Sequence, residues 1–374
     1  MTRESFAQQA AMTGPFRYDH VGSFLRPDRL KKARKDNTDG IISDDKLRTI
    51  EDEEIKGIVE EQKKAGHLAI TDGEFRRRWW HLDFLEGLTG VEGFEPEQGY
   101  QFKGIKTKAW LVRVIDKLDF PNDHPFIEHF RFLKSVVGDE HVAKQTIPSP
   151  NMLYTDYSFV EGVYDDRAQF RKDLAAAYKK AIKAFYEAGC RYLQLDDVAW
   201  AVLIPTEKDS EEVKADKREK QQYFKQIINE ALEDKPDDLV VTMHICRGNF
   251  RSTWAMSGGY DPVAKTIFEE VKVDGFFLEY DDERSGTFEP LKYLTRKDAT
   301  VVLGLVSSKI GELEKRETIK ARIKEASEYV PSDQLALSPQ CGFASTEEGN
   351  ILTEAQQWEK MKFVKDVAEE VWND

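Results

Sequence analysis

The sequence predicts an α/β fold, a (β/α)8 TIM barrel forming one domain over residues 1–374, with a β-hairpin inserted after the second strand at about residues 91–121. Three observations predict it. About eight short apolar runs alternate with long amphipathic stretches, the pattern of a parallel sheet with crossover helices and the number that closes a barrel. The runs are rich in Val, Ile, Leu and Phe, as strands buried on both faces are. No fixed-period repeat, low-complexity tract or linker divides the chain. A doubly wound sheet is the alternative.

The candidate strands are residues 17–23, 67–72, 141–147, 191–196, 238–244, 274–279, 300–306 and 334–338. Between them, Ser43 precedes a charged, periodic stretch that ends at Gly66, an N-cap and C-terminal glycine pair, and Asp166 to Gly189 repeats the form. Residues 211–233 are dense in Lys, Glu and Gln and read as a solvated helix face without a function. Residues 91–121 break the rhythm. Their glycines and alternating Tyr100, Phe102, Ile105, Trp110, Val112 and Val114 suit the inserted hairpin better than a helix.

Composition narrows the class. With 40% hydrophobic and 33% charged residues, the chain is globular, and 22 Phe, 13 Tyr and 7 Trp supply a sizeable core. A net charge of −14 repels phosphate backbones, so nucleic acid is not expected as a partner. No apolar run approaches the ~20 residues of a membrane span, and residues 1–16 lack the apolar core of a signal peptide, so a cytoplasmic protein off the membrane is expected. The three cysteines, Cys190, Cys246 and Cys341, are too few for a disulfide framework. They are expected to be thiols or metal ligands.

Polar residues cluster where a barrel places its active site. At the C-terminal ends of the strands stand His20 with Ser23, Asp72 with Glu74, Ser149 with Asn151, Asp196 with Asp197, His244 with Cys246, Glu279 with Asp281, Ser307 with Ser308, and Cys341. Those ends share one mouth. In Val241-Thr-Met-His-Ile-Cys-Arg247, positions i and i+2 of an extended segment point to one side, so imidazole and thiolate can meet one ion. Cys341 and Glu279 complete a set of two thiolates, one imidazole and one carboxylate, which suits tetrahedral Zn²⁺ rather than Mg²⁺ or Ca²⁺. Cys190 reads as core. A free thiol with a pKa near ~8.5 is mostly protonated at neutral pH, whereas zinc deprotonates it outright, so the set points to alkyl transfer to sulfur.

Together the motifs resemble the cobalamin-independent methionine synthase family, specifically its C-terminal catalytic barrel in a single-barrel short form. The matching stretches are His20-Val-Gly-Ser-Phe24, Asp72-Gly-Glu-Phe-Arg-Arg77, Ile147-Pro-Ser-Pro-Asn151, Leu193-Gln-Leu-Asp-Asp197, His244-Ile-Cys246, Glu279 with Arg284-Ser285, and Pro339-Gln-Cys-Gly342. The resemblance implies that His244, Cys246, Glu279 and Cys341 bind zinc. It also implies that Asp196 and Glu74 hold the amino group of homocysteine, while Gly22 and Ser23 receive its carboxylate. The implied reaction places the homocysteine sulfur on zinc and transfers to it the methyl group of 5-methyltetrahydrofolate, yielding methionine. Glu279, the hardest donor, is expected to give way to the incoming sulfur.

Two departures bear on the methyl donor. Full-length family members carry a second, N-terminal barrel that contributes to folate binding, for which 374 residues leave no room, so the donor is methylfolate or a related compound, or is brought by a donor-delivering protein. The family's histidine after the seventh strand, which protonates the departing amine, is absent from Leu303-Gly-Leu-Val-Ser-Ser-Lys-Ile310. Ser307, Ser308 and Lys309 occupy that region as the catalytic candidates. The stretch Arg76-Arg-Arg-Trp-Trp-His81 offers cations and a stacking face, so Arg77, Trp79 and Trp80, with Asn151, are the donor-binding candidates. Two other readings stay open: a zinc-dependent thiol alkyltransferase acting on an epoxide or similar electrophile, and a zinc- or thiol-binding protein without turnover.

Overall fold

A computed structural model describes residues 14–96, 101–102, 105–106, 110–155, 158–159 and 162–372 of the chain. Most of the segment read for a leader, residues 1–13, and Tyr100 of the hairpin lie outside the described residues. Seven strands form one parallel sheet: β1 (Ala69–Ile70), β6 (Val142–Pro148), β7 (Tyr192–Asp197), β8 (Val240–Ile245), β11 (Gly275–Glu279), β12 (Thr300–Val306) and β13 (Leu335–Pro339). They are neighbours in that order, with sequence-consecutive strands adjacent and helices in the connections. That is the winding of an α/β barrel.

The eighth position differs from expectation. Residues 17–23 form no ladder but a single parallel bridge, Tyr18 to Leu337, with Asp19 N donating to Leu337 O (3.0 Å) and Leu337 N to Arg17 O (2.8 Å). Towards β1 the ring is joined by other bonds: Thr71 Oγ1 donates to Gly22 O (2.6 Å), Phe24 N to Gly73 O (3.2 Å), and His20 Nε2 lies 2.9 Å from Ala69 O. The segment leaves strand geometry at Gly22, whose φ of 128° a side chain rarely adopts.

The insertion after β1 is an antiparallel ribbon of β2 (Thr89–Phe94) and β5 (Leu111–Asp119), with β3 (Gln101–Phe102) and β4 (Ile105–Lys106) paired at its far end. Capping follows the sequence signals. Ser43 accepts from Lys46 N at the start of the helix Asp44–Lys64, and Asp166 accepts from Gln169 N at the start of Arg167–Glu187. Gly66 and Gly189, at φ 82° and 95°, follow their C-termini. The core between sheet and helices is apolar, with Leu193, Leu195, Val241, Met243, Phe276, Leu278, Val301 and Leu303 all buried. Among the described residues, no helix is long and apolar enough to cross a membrane.

Candidate metal and amino-acid site

Period-two alternation decides which side chains enter the barrel. On β7, Tyr192, Gln194 and Asp196 share the inward face. Asp197 turns outward, where it accepts from Ser149 Oγ, from Asn151 Nδ2 (3.0 Å) and from Trp200 N (3.1 Å). The two adjacent acids thus have different duties. His244 lies beside Asp196 in the β7–β8 register, and Cys246 follows with the parity of His244.

His244, Cys246, Glu279 and Cys341 converge. All four are buried, and one ligand atom from each lies within 4.8 Å of the others. The two sulfurs are 3.6 Å apart, against about 3.8 Å for thiolates each ~2.3 Å from one tetrahedral zinc. His244 Nδ1 lies 3.2 Å from Phe277 O, so Nδ1 carries a proton and Nε2 is the nitrogen open to a metal ion, which would take the place of any proton there; Nε2 is buried without a hydrogen-bond partner. Glu279 Oε1 accepts from Arg247 N (2.9 Å) and Cys246 Sγ from Gly248 N (3.3 Å). The donor set and its orphaned nitrogen fit zinc.

Charge in the group is held by its own members. The hydrogen bond from Cys246 lowers the Cys341 thiol well below its ordinary value, helped by His244 and Asn249 against burial. The same contact, with burial, raises Cys246. Burial disfavours the His244 imidazolium, but the Cys341 sulfur, Asp196 and Glu279 outweigh it and raise the pKa to about 9. Burial and the Cys341 sulfur push Glu279 up, against Lys309.

Two further carboxyls face the same cavity. Asp196 is pushed up to about 7 by burial, with Glu74 adding to it and His244 opposing. Glu74 is raised by burial against Arg77 and Arg26. It sits at φ 61°, directly after Gly73 at φ 68°. The turn, strained at Glu74, is held by Asp72 Oδ1, which accepts from Glu74 N (2.8 Å), and by Thr71 Oγ1, which accepts from Gly73 N (3.2 Å). Two buried acids whose ionisation burial disfavours, one of them with a carboxylate oxygen, Glu74 Oε2, left unbonded, form a site for an ammonium, which favours their charged forms.

A cavity of about 580 Å³ unites these groups: Ser23, Glu74, Asp196, His244, Cys246 and Cys341 line its inner end. Gly22 lies just behind Ser23. Trp79, Trp80 and His81 form part of the wall. The arginines before them do not: Arg76 pairs with Glu51 and Asp52, and Arg77 pairs with Glu74 (3.2 Å) while donating to Thr146 O (2.6 Å). Asn151 is buried on Asp197, away from the cavity lining. Ser307, Ser308 and Lys309 also stand outside the lining. Ser308 Oγ donates to Gly342 O (3.0 Å), Ser307 Oγ accepts from Lys309 N (3.3 Å), and the Lys309 ammonium is bound by Asp281.

Other parts of the wall carried no signal in the sequence. The helix Glu211–Ala231, read as a solvated face, contributes Val213, Asp216, Lys217, Lys220 and Phe224. A short flap, β9 (Asn249–Phe250) paired with β10 (Thr253–Trp254), turns through Arg251 and Ser252 at φ 45° and 64° and brings in Asn249, Ala255 and Met256. Asn249 Nδ2 donates to Gly342 O (3.0 Å), tying the flap to the Cys341 loop.

Comparison with known proteins agrees with this geometry. Residues 17–369 match the family described as cobalamin-independent synthase, catalytic domain. YxjH of Bacillus subtilis is 55% identical over 361 residues, 96% of this chain and 95% of its own length. A solved structure from Listeria monocytogenes, provisionally named a vitamin-B12-independent methionine synthase, is 50% identical, superimposes with a TM-score of 0.79 and is covered over 97% of this chain and 99% of its own. A B12-independent methionine synthase from Shewanella shares the fold at 18% identity, with a TM-score of 0.72 over 96% of this chain and 98% of its own.

Proposed function

From the premise that this chain belongs to the cobalamin-independent methionine synthase family through its catalytic domain, we propose that it is a zinc-dependent S-methyltransferase forming methionine from homocysteine. The methyl donor is 5-methyltetrahydrofolate or a related compound. The observation that carries the reading is the juxtaposition, in one cavity, of three members of a four-ligand metal group, His244, Cys246 and Cys341, with two buried carboxyls, Asp196 and Glu74, the latter with Oε2 unbonded. Such carboxyls serve an amino-acid thiol; a plain thiol joined to an epoxide has no use for them.

His244, Cys246, Glu279 and Cys341 hold the zinc, which when bound keeps a substrate thiol ionised at neutral pH. Asp196 and Glu74 take the ammonium, and their raised pKa values fall as it binds. Ser23 Oγ, with the backbone at Gly22, takes the carboxylate. Trp79 and Trp80 offer a flat apolar wall to the donor. Ser308 and Lys309 act from behind the cavity, Ser308 by fixing Gly342 and hence the Cys341 loop. The three unpaired cysteines accord with a cytoplasmic site of action.

The test is to incubate zinc-loaded protein with homocysteine and, in turn, methylfolate carrying one or several glutamates, methylcobalamin and S-methylmethionine. Methionine is expected with at least one donor. Its absence with all of them, alongside a thioether product from an epoxide, would replace this reading with the alkyltransferase one.

A further inference from the structure

Four consecutive carbonyls of residues 20–23 are each held by a different donor. Lys144 Nζ donates to His20 O (2.6 Å), Gln194 Nε2 to Val21 O (2.7 Å), Thr71 Oγ1 to Gly22 O (2.6 Å) and Phe343 N to Ser23 O (2.9 Å). In a trans peptide the N–H points away from the C=O. The amides of Gly22 and Ser23 are therefore turned away from Gln194 and Thr71. Gly22 could not carry a side chain here, since an added Cβ would come within 2.8 Å of Thr146 Cγ2.

Gln194 differs from the other donors in one respect. Its Nε2 also donates to Asp196 Oδ1 (2.6 Å), so both amide hydrogens are used, one on the 20–23 loop and one on the inward acid of its own strand. The side chain is fully buried, at 0% exposure. A single planar group thereby sets the spacing between the loop that takes a carboxylate and the acid that takes an ammonium.

We infer that Gln194 is a positioning residue that makes the site selective for thiols carrying both an α-amino and an α-carboxylate group. The inference rests on the homocysteine reading above and deepens it. Without the bridge, each half of the site keeps its own groups but loses its registration with the other. The loss falls on ligands that engage both halves at once and spares those that engage one.

The experiment is calorimetric titration of the zinc-loaded protein with homocysteine, 4-mercaptobutyrate, which lacks the amino group, and 3-mercaptopropylamine, which lacks the carboxylate. The wild type should prefer homocysteine. In Gln194→Met, zinc content should hold while homocysteine affinity falls roughly 10- to 100-fold and the affinity of either analogue by under about fivefold. Gln194→Glu, which keeps the volume and sets an oxygen against Asp196 and Val21 O, should lose homocysteine selectively as well and serves if Gln194→Met does not fold. Unchanged homocysteine affinity, or equal losses for all three thiols, would overturn the positioning role. A wild type that binds homocysteine no better than the analogues would overturn the homocysteine reading itself, before any variant is made.

Discussion

Gly342→Ala probes the joint between the metal group and the carboxylate loop. Gly342 follows Cys341, and its carbonyl is pinned by Ser308 Oγ and Asn249 Nδ2, each at 3.0 Å. A Cβ added there would stand 1.9 Å from Ser23 Oγ, 3.1 Å from Ser23 Cβ and 3.3 Å from Ser23 N. Ordinary contact is about 3.5 Å, so the hydroxyl must move by more than ~1 Å. Two routes are open to it. It can rotate away, which costs Ala344 N its acceptor and the substrate its donor, or the whole loop can shift against carbonyls already held from the barrel side. Either way the substrate carboxylate loses its seat, and a misplacement of ~1 Å is worth about 100-fold in rate, or ~2.7 kcal/mol. The assay is kcat/KM for homocysteine in a double-mutant cycle with Ser23→Ala. Gly342→Ala should cost about 100-fold alone but under about tenfold once the hydroxyl is gone, because the 1.9 Å contact then vanishes. Equal penalties in the two backgrounds, or wild-type activity for Gly342→Ala, would refute the reasoning.

Three further outcomes are expected. Cys341→Ser should purify with less than half the wild-type zinc, and chelator-treated wild type should lose methyl transfer and regain it with zinc, both read by metal analysis beside turnover. Acid should destabilise the fold: burial holds His20, His81 and His129 at about 3 and His67 and His124 at about 4, down from 6.5. Between those values and 6.5 the unfolded chain binds more protons than the folded one, so stability is fully present above about pH 6.5 and lost as the pH falls towards 4. Each histidine contributes up to about 3–4 kcal/mol by its end. A urea midpoint unchanged from pH 8 to pH 4.5 would contradict this. Lys144→Met, which strips the partner from Asp19, both side chains being wholly buried, should cost about 3–5 kcal/mol in urea unfolding, and adding Asp19→Asn should recover part of the loss.

Much of this was legible in the sequence because period and chemistry coincide. The strands of a parallel barrel are short apolar runs, and their C-terminal ends meet, so the sequence alone gathers His244, Cys246, Glu279 and Cys341 from three segments. Asp196 was separable from Asp197 only through resemblance, whereas the structure separates them by pleat parity. The edges of the pattern were less legible. Residues 17–23 read as a strand by composition, yet Gly22 and the side-chain donors beneath it take the carbonyls a ladder would use. The run of arginines at 76–78 shares one stretch with two tryptophans, and sequence spacing could not tell that Arg76 and Arg77 turn to Glu51, Asp52 and Glu74 while Trp79 and Trp80 line the cavity. The helix Glu211–Ala231 looked uniformly solvated because only one of its edges, Val213 to Phe224, meets the cavity.

The polar floor of this barrel follows from the same constraint. Barrel interiors are ordinarily layered with branched apolar side chains. Here Lys144 is buried with its ammonium 3.0 Å from Asp19 Oδ1 and above the rings of Phe277 (4.1 Å) and Tyr192 (4.7 Å), while Tyr192 Oη donates to Asp19 Oδ2 (2.8 Å). Stability does not account for that choice, since replacing a buried ion pair with apolar residues of similar volume is often neutral or stabilising by ~1–4 kcal/mol. The floor's other partners do account for it. Lys144, Gln194 and Thr71 each end on a carbonyl of residues 20–22, and an apolar floor would leave those carbonyls buried and unbonded at about 1–3 kcal/mol apiece. With all three donors gone the peptide planes would turn to find others, and the amides of Gly22 and Ser23 would turn with them, whereas loss of Gln194 alone leaves the flanking planes held by Lys144 and Thr71. A mouth that must hold its amides outward thus requires donors beneath it, and the charge on Lys144 in turn requires Asp19.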